Sequence, residues 1–365
     1  MLAHSQLQLW KPLTARNTLD ANGVPTNLNQ ADLAQIMTTL AGAWEQNTRG
    51  TYGTGLLVFH TFCDNKGITE EQCAPLSPVL AAAFISSIAG VYLGSTIRNF
   101  LYALRAWHIL HGVHWQMNEP EMEALLKAAE KAAPPTSKRK KQLPYTPDFM
   151  ASIRTRLDLS NPFEAAVFAC LTTTFYTAAR LGEFTVPKLD AFNAAKHVKP
   201  SDMREETDRK GLRSTVFHLP QTKTTIHGED VSWSAQASPT DPEAALKNHL
   251  AINSPPPDGP LFAYQHKKGY RPLTKPAFIK ALTGAAKSAG LDPRQGHGIR
   301  IGSTLEYLLR GVPFEVMKAK GRWASDAFQI YLTKHAQILA PYMQAVPELH
   351  AEFSRITMPS IRRSH

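Results

Sequence analysis

The chain is poor in the residues and motifs that announce several common chemistries. Cysteine occurs only at Cys63, Cys73 and Cys170, an odd number with no CxxC pair. That pattern argues against a disulfide framework or a zinc site and fits a reducing compartment. There is no GxxxxGK[ST] loop, no GxSxG elbow and no HExxH helix, which speaks against an ATPase, an α/β-hydrolase and a zincin. His108, His111 and His114 recur at three-residue intervals, but Gly112 interrupts the run and carboxylates are missing from it. A polar helix end is the plainer reading, and no metal is expected. Long apolar runs are missing too. The longest, "PVLAAAFISSIAGVYLG", carries serines and glycines and has the length of a buried helix rather than a membrane span. The opening "MLAHSQLQLWKPL" has no basic-then-apolar leader. A soluble, intracellular protein is expected, with no membrane partner.

What the sequence has in surplus is positive charge. Its 365 residues carry a formal net charge of +10, with 43% hydrophobic and 19% charged residues. That is enough apolar material for about two domains, and the basic surplus favours a polyanionic partner, of which nucleic acid is the commonest. Residues 1 to 28 read as polar and irregular. A helical block follows, with no strand. "NLNQADLAQIMTTLAGAWEQ" places Leu33, Ile36, Met37, Leu40 and Trp44 at helical spacing. "NTRGTYGTGLLVFHTFCDNKG" has Asn47 as its cap and Gly67 as its stop. "SPVLAAAFISSIAG", "GSTIRNFLYALRAWHILHG" and "NEPEMEALLKAAEKAA" complete five helices. Then "APPTSKRKKQLPYTPDF" reads as a proline-flanked linker. Its Lys138, Arg139, Lys140 and Lys141 suit phosphate contact, a nuclear import signal or plain solvation. The division is residues 1–135, a basic linker at 136–147, and residues 148–365.

The second block opens with "NPFEAAVFACLTTTFYTAARLG", capped by Asn161 and ended by Gly182. The only strand-like region is a hairpin, "RSTVFHLPQTKTT" and "EDVSWSA" about "IHG", where Pro220 suggests an edge strand or a bulge. Helices return at 274–289, 297–310, 313–320 and 325–340.

Four short motifs remain once core-forming residues are set aside. "AARLGEF" puts Arg180 at a helix end, where the bland role is to offset the helix dipole. "QTKTT" puts Lys223 near a hairpin tip. "GHGIR" puts His297 and Arg300 one helical turn apart, on one face. "GRWASDAFQIYL" has Gly321 as a helix stop, Ser325 or Asp326 as the next cap, and Tyr331 two turns on. Taken alone, Tyr331 belongs in a core. Together the set can handle a phosphodiester. Two guanidinium groups grip the non-bridging oxygens and offset the charge of a five-coordinate transition state. A lysine or histidine protonates the leaving oxygen, and a tyrosine hydroxyl attacks phosphorus.

In order and spacing, "ARLGE", the hairpin lysine, "HGIR" and "GRWASDAFQIYL" resemble the tyrosine recombinase (phage integrase) family, most specifically over residues 176–334. "NTRGTYGTGLLVFHTFC" more weakly resembles its helical core-binding domain. The last motif looks closest to recombinases of eukaryotic mobile elements, the Cryptons. The resemblance implies a mainly α fold: a helical core-binding bundle plus a mainly helical catalytic domain with a small antiparallel β-sheet. It places Arg180 on the first arginine and Glu183 on the supporting acid. Lys223 falls on the hairpin lysine, with Lys210 a poorer rival. His297 and Arg300 fall on the histidine–arginine pair, and Tyr331 on the nucleophile. The family's histidine or tryptophan slot falls on Arg322 when counted from Gly321, and on Trp323 by residue type. Trp323 is favoured, although it stands one residue nearer Tyr331 than is usual.

The resemblance further implies a clamp around double-stranded DNA, a 3′-phosphotyrosyl intermediate needing neither metal nor other cofactor, and a tetramer assembled on DNA. The product would be mobile-element insertion or excision, in the nucleus if the source is eukaryotic. A type IB topoisomerase, a domesticated non-cleaving DNA-binding protein and an unrelated helical interaction protein are the rivals. The tail after Pro341 holds Leu349, Phe353 and Ile356 at spacings that suggest a short amphipathic helix.

Overall fold

Capping residues partition the first half into helices much as their positions suggest. In the computed structural model, which describes residues 3–20, 22–137, 142–222, 225, 227–323 and 335–343, the chain forms two compact units, residues 1–140 and 141–365. The first contains α1 (Ala3–Leu9), α2 (Gln30–Ala41), α3 (Gln46–Lys66), α4 (Glu70–Cys73), α5 (Pro78–Ile88), α6 (Gly94–His111) and α7 (Glu119–Ala132). Asn29 and Asp32 form a reciprocal capping box on α2, and Ser77 and Asn118 cap α5 and α7. Gly67 and Gly112 end α3 and α6 with φ of 64° and 69°, the left-handed conformation that glycine adopts without strain. Asn47 lies inside α3, whose cap position is Glu45. The core is built from Leu56, Phe59, Phe84, Phe100, Leu104 and Trp107.

Helix α1 corrects the expectation of an irregular N-terminal segment. Leu7 is buried against the bundle. Trp107 Nε1 donates to the Trp10 carbonyl (2.7 Å), and His111 Nε2 bonds the Leu7 carbonyl (2.8 Å). A seven-residue helix is marginal alone, so this one exists through contacts remote in sequence. His108 and His111 are likewise core groups rather than a polar helix end. His108 Nε2 accepts from the Leu76 amide (2.9 Å) and its Nδ1 bonds the Leu104 carbonyl (2.8 Å). Among the described residues no cluster of histidine, cysteine and carboxylate could hold a metal.

The second unit runs α8 (Pro147–Arg154), α9 (Pro162–Tyr176), α10 (Leu181–Phe184), β1 (Met203–Thr207), β2 (Arg213–Leu219), β3 (Glu229–Trp233), α11 (Pro242–Asn253), β4 (Tyr264–His266), β5 (Gly269–Arg271), α12 (Lys275–Ser288), α13 (His297–Leu309), α14 (Phe314–Gly321) and α15 (His335–Leu339). Every residue of α9 from Ala165 to Tyr176 is buried, as an all-round apolar helix requires. Helices α11, α12 and α13 pack around it.

The sheet is antiparallel in the order β1-β2-β3, with Val216 opposite both Arg204 and Ser232. The expected hairpin is therefore β2–β3, but β2 is central and Pro220 stands just past its end, where no ladder bond is lost. Strand β1 and the β4–β5 hairpin add to the one strand region expected. Helix α9 also stops earlier than Gly182. Ala178 adopts φ 53°, Arg180 occupies the cap position of α10, and Gly182 lies inside α10. No helix among the described residues is long and apolar enough to cross a membrane.

Candidate active site

The break between α9 and α10 builds one wall of a cavity. Left-handed Ala178 turns its carbonyl toward α13, where Arg300 Nη1 donates to it (3.1 Å). Arg300 Nη2 donates to the Gly321 carbonyl at the end of α14. Arg300 is only 3% exposed, and its guanidinium carbon lies 4.5 Å from the centroid of the Trp323 ring. One arginine thus ties together the ends of α9 and α14 through hydrogen bonds to backbone carbonyls. Gly321 is glycine for packing rather than for turning. A Cβ there would lie 1.6 Å from the Trp323 ring, while the left-handed residue that ends α14 is Arg322, φ 57°.

Arg322 sits between two carboxylates. Its Nη2 donates to Glu183 Oε2 (2.6 Å) and its Nη1 to Glu229 Oε1 (2.8 Å), with its side chain 8% exposed. Glu183 also accepts from the Arg180 amide (2.7 Å) and from Arg180 Nη1 (3.2 Å). This chain of ion pairs joins α10, the start of β3 and the end of α14. Arg322 is thus engaged by two carboxylates, whereas the Trp323 ring lies against the Arg300 guanidinium.

The cavity measures about 550 Å³ and is lined by Arg180 and, far along the sequence from it, His297 and Arg300, together with Lys275 and Arg294. Partial burial, followed by the charges of Arg300, Arg180 and Lys275, holds the His297 pKa below the usual histidine value. His297 is therefore neutral near pH 7 and can offer one donor and one acceptor. Lys275 and Arg294 were not singled out from the sequence. Arg294 carried a weak signal, standing three residues before His297; Lys275 carried none. Lys210 lies in the turn before β2, its amide donating to Asp208 (2.7 Å).

A strap supports the helix that bears the site. Residues 142–145 cross the first turns of α13 at Gly298 and Gly302, where a Cβ would lie 2.4 Å from the Leu143 oxygen and 1.9 Å from the Tyr145 oxygen. The Tyr145 amide donates to the Gly298 carbonyl (2.9 Å), and Tyr145 Oη to the Arg294 carbonyl (3.2 Å). Gln142 Nε2 donates to Gln295 Oε1 (2.8 Å), Arg294 Nη1 donates to the Pro144 carbonyl, and the Arg294 guanidinium lies over the Phe149 ring at 3.7 Å. The remaining residues singled out from the sequence lie outside the described residues: Lys138, Arg139, Lys140, Lys141, Lys223, Ser325, Asp326, Tyr331, Leu349, Phe353 and Ile356.

No family model and no curated protein matches the sequence. Solved structures do match in fold. The post-cleavage complex of the XerH site-specific recombinase bound to palindromic difH substrate is similar at a TM-score of 0.53 and 16% identity, over 86% of this chain and 84% of that one. A lambda integrase dimer bound to a COC′ core site is similar at 0.52 and 16%, over 82% and 93%. The pre-cleavage XerH complex with difH is similar at 0.50 and 16%, over 94% and 95%. The fold is that of the tyrosine recombinases: mainly helical, with a small antiparallel sheet.

Proposed function

We propose that the chain is a tyrosine-type site-specific DNA recombinase that cuts and rejoins duplex DNA through a 3′-phosphotyrosyl intermediate. The observation that carries this reading is the convergence of Arg180, His297 and Arg300 on one cavity, within a fold shared with XerH and lambda integrase. Arg180 and Arg300 hold the non-bridging oxygens of the scissile phosphate, and His297 donates a hydrogen bond to one of them. Trp323 stacks on Arg300 and keeps its guanidinium in place. Glu183 orients Arg180, with Arg322 as its counter-charge. The Tyr331 hydroxyl gives up its proton to solvent as its oxygen bonds to phosphorus, the bond to the 5′-oxygen breaks, and Lys223 supplies that oxygen with a proton. The 5′-hydroxyl of a second strand then reverses the step on a new partner. Lys138, Arg139, Lys140 and Lys141 contact phosphates, four protomers assemble on DNA, and the exchange inserts or excises a mobile element of Crypton type.

Guanidinium and ammonium groups supply the charge neutralisation in this scheme, so cleavage is expected to proceed in excess EDTA. The test uses nicked duplexes of randomised sequence, from which a covalent protein–DNA adduct is trapped and its attachment residue mapped. The wild type should form the adduct with and without EDTA, and Tyr331→Phe should bind DNA and form none. An adduct that survives in Tyr331→Phe and disappears in Tyr342→Phe would overturn the assignment of the nucleophile.

A further inference from the structure

The cavity holds more positive charge than one phosphodiester cancels. Four cations line it, Arg180, Lys275, Arg294 and Arg300, and no carboxylate is among its described lining residues. A single phosphodiester carries one negative charge. The surplus has an address. Lys275 is the first residue of α12 and lines the same cavity as Arg180, and among the described residues its ammonium makes no ion pair. Its backbone is pinned: the Lys275 amide donates to the Val186 carbonyl (2.9 Å), and the Val186 amide donates to the Leu273 carbonyl (3.1 Å). Thr274 caps the helix beneath it. A rigid base under a flexible four-carbon stem suits a cation that must reach a ligand from a fixed point. Arg294 is less mobile, since it is held by the Pro144 carbonyl and the Phe149 ring.

We propose that Lys275 forms a second phosphate subsite beside Arg180, His297 and Arg300, binding the phosphodiester next to the scissile one on the same DNA strand. It is a positioning residue. Two consecutive phosphates held at once fix the strand's register, so that the intended phosphorus, and not its neighbour, lies under Arg180 and Arg300. This rests on the recombinase reading for the identity of the strand, but the subsite itself rests on the charge and geometry of the cavity.

The experiment uses the full chain and two simple probes, orthophosphate and pyrophosphate, with the His297 ring protons as reporter by NMR. Wild type should bind pyrophosphate more tightly than orthophosphate. Lys275→Gln should lose about tenfold in pyrophosphate affinity, as expected for one charge-assisted contact, and less than about twofold for orthophosphate. Lys280→Gln, on the same helix but away from the cavity, should match wild type with both probes. With a short duplex, Lys275→Gln should lower the slope of log affinity against log salt by about 0.9, one phosphate contact. Unchanged pyrophosphate binding in Lys275→Gln, or an equal loss in Lys280→Gln, would overturn the subsite. Failure of the parent reading looks different: no nicked duplex yields a wild-type adduct, while Lys275→Gln still loses pyrophosphate.

Discussion

At the scale of single residues, the spacing of chemistry-bearing groups is read from the sequence, but the contacts that hold each of them are not. His297 and Arg300 were legible because a three-residue interval on a helix is a geometric statement, and the cavity receives both. The division of labour between Arg322 and Trp323 was not legible. It depends on Glu229, which comes from a strand 93 residues away. Arg322 is held in left-handed backbone, which costs a non-glycine residue roughly 1–2 kcal/mol, and its two ion pairs must outweigh that. Removing it takes the Arg322 guanidinium from Glu229 and leaves Glu183 with Arg180 as its ion-pair partner. Arg322→Ala is therefore expected to destabilise the protein by roughly 3–5 kcal/mol, the usual cost of breaking a buried pair. Denaturant unfolding measures this, and a loss below about 1 kcal/mol would show the clamp to be worth no more than a surface ion pair.

At the scale of elements, helices with strong caps and a periodic apolar face were readable, because local chemistry fixes both ends. Helices α2, α5, α7 and α12 are examples, with Asn29, Ser77, Asn118 and Thr274 at their starts. The elements that escaped are those decided by distant partners. Helix α1 depends on Trp107 and His111, and strand β1, whose burial is slight along most of its length, depends on pairing with β2. The early end of α9 escaped because a left-handed alanine has no sequence signature. The strap on α13 gives a sharp test of the element that bears the site. Gly302→Ala puts a methyl where the Tyr145 carbonyl lies, so the strap must lift or the helix must shift, at a cost of roughly 1–3 kcal/mol. Hydrogen exchange at the Tyr145 amide should accelerate. Gly284→Ala, in α12 with nothing within 4 Å of the added carbon, should instead stabilise by up to about 1 kcal/mol. If both variants leave exchange at Tyr145 unchanged, the strap does not depend on the glycine groove.

At the scale of the whole molecule, each unit carries its own acid-sensitive histidine. His108 in the first unit and His249 in the second are fully buried, and burial pushes both pKa values down to about 4. His249 Nε2 donates to the Leu261 carbonyl (3.0 Å), and Asn253 donates to its Nδ1 (3.0 Å), which leaves no place for a second proton. Because the folded pKa lies below the unfolded value near 6.5, the stabilisation is complete above pH 6.5 and is lost as pH falls toward 4. The expected loss is about 2 kcal/mol per histidine by pH 5. Calorimetry should show lowered transitions in the wild type at that pH, and His249→Gln should flatten the pH profile of the second unit. An equally steep profile in that variant would refute the role of His249. The strap has one further consequence, for where this unit can be cut. Its first regular element is α8, beginning at Pro147, so a fragment trimmed to that helix would look complete by secondary structure. It would nonetheless lose the segment that fills the slot over Gly298 and Gly302 and the carbonyl that holds Arg294. The smallest self-sufficient piece is expected to start before Gln142, and the five irregular residues ahead of α8 belong to the second unit's packing as much as any helix in it.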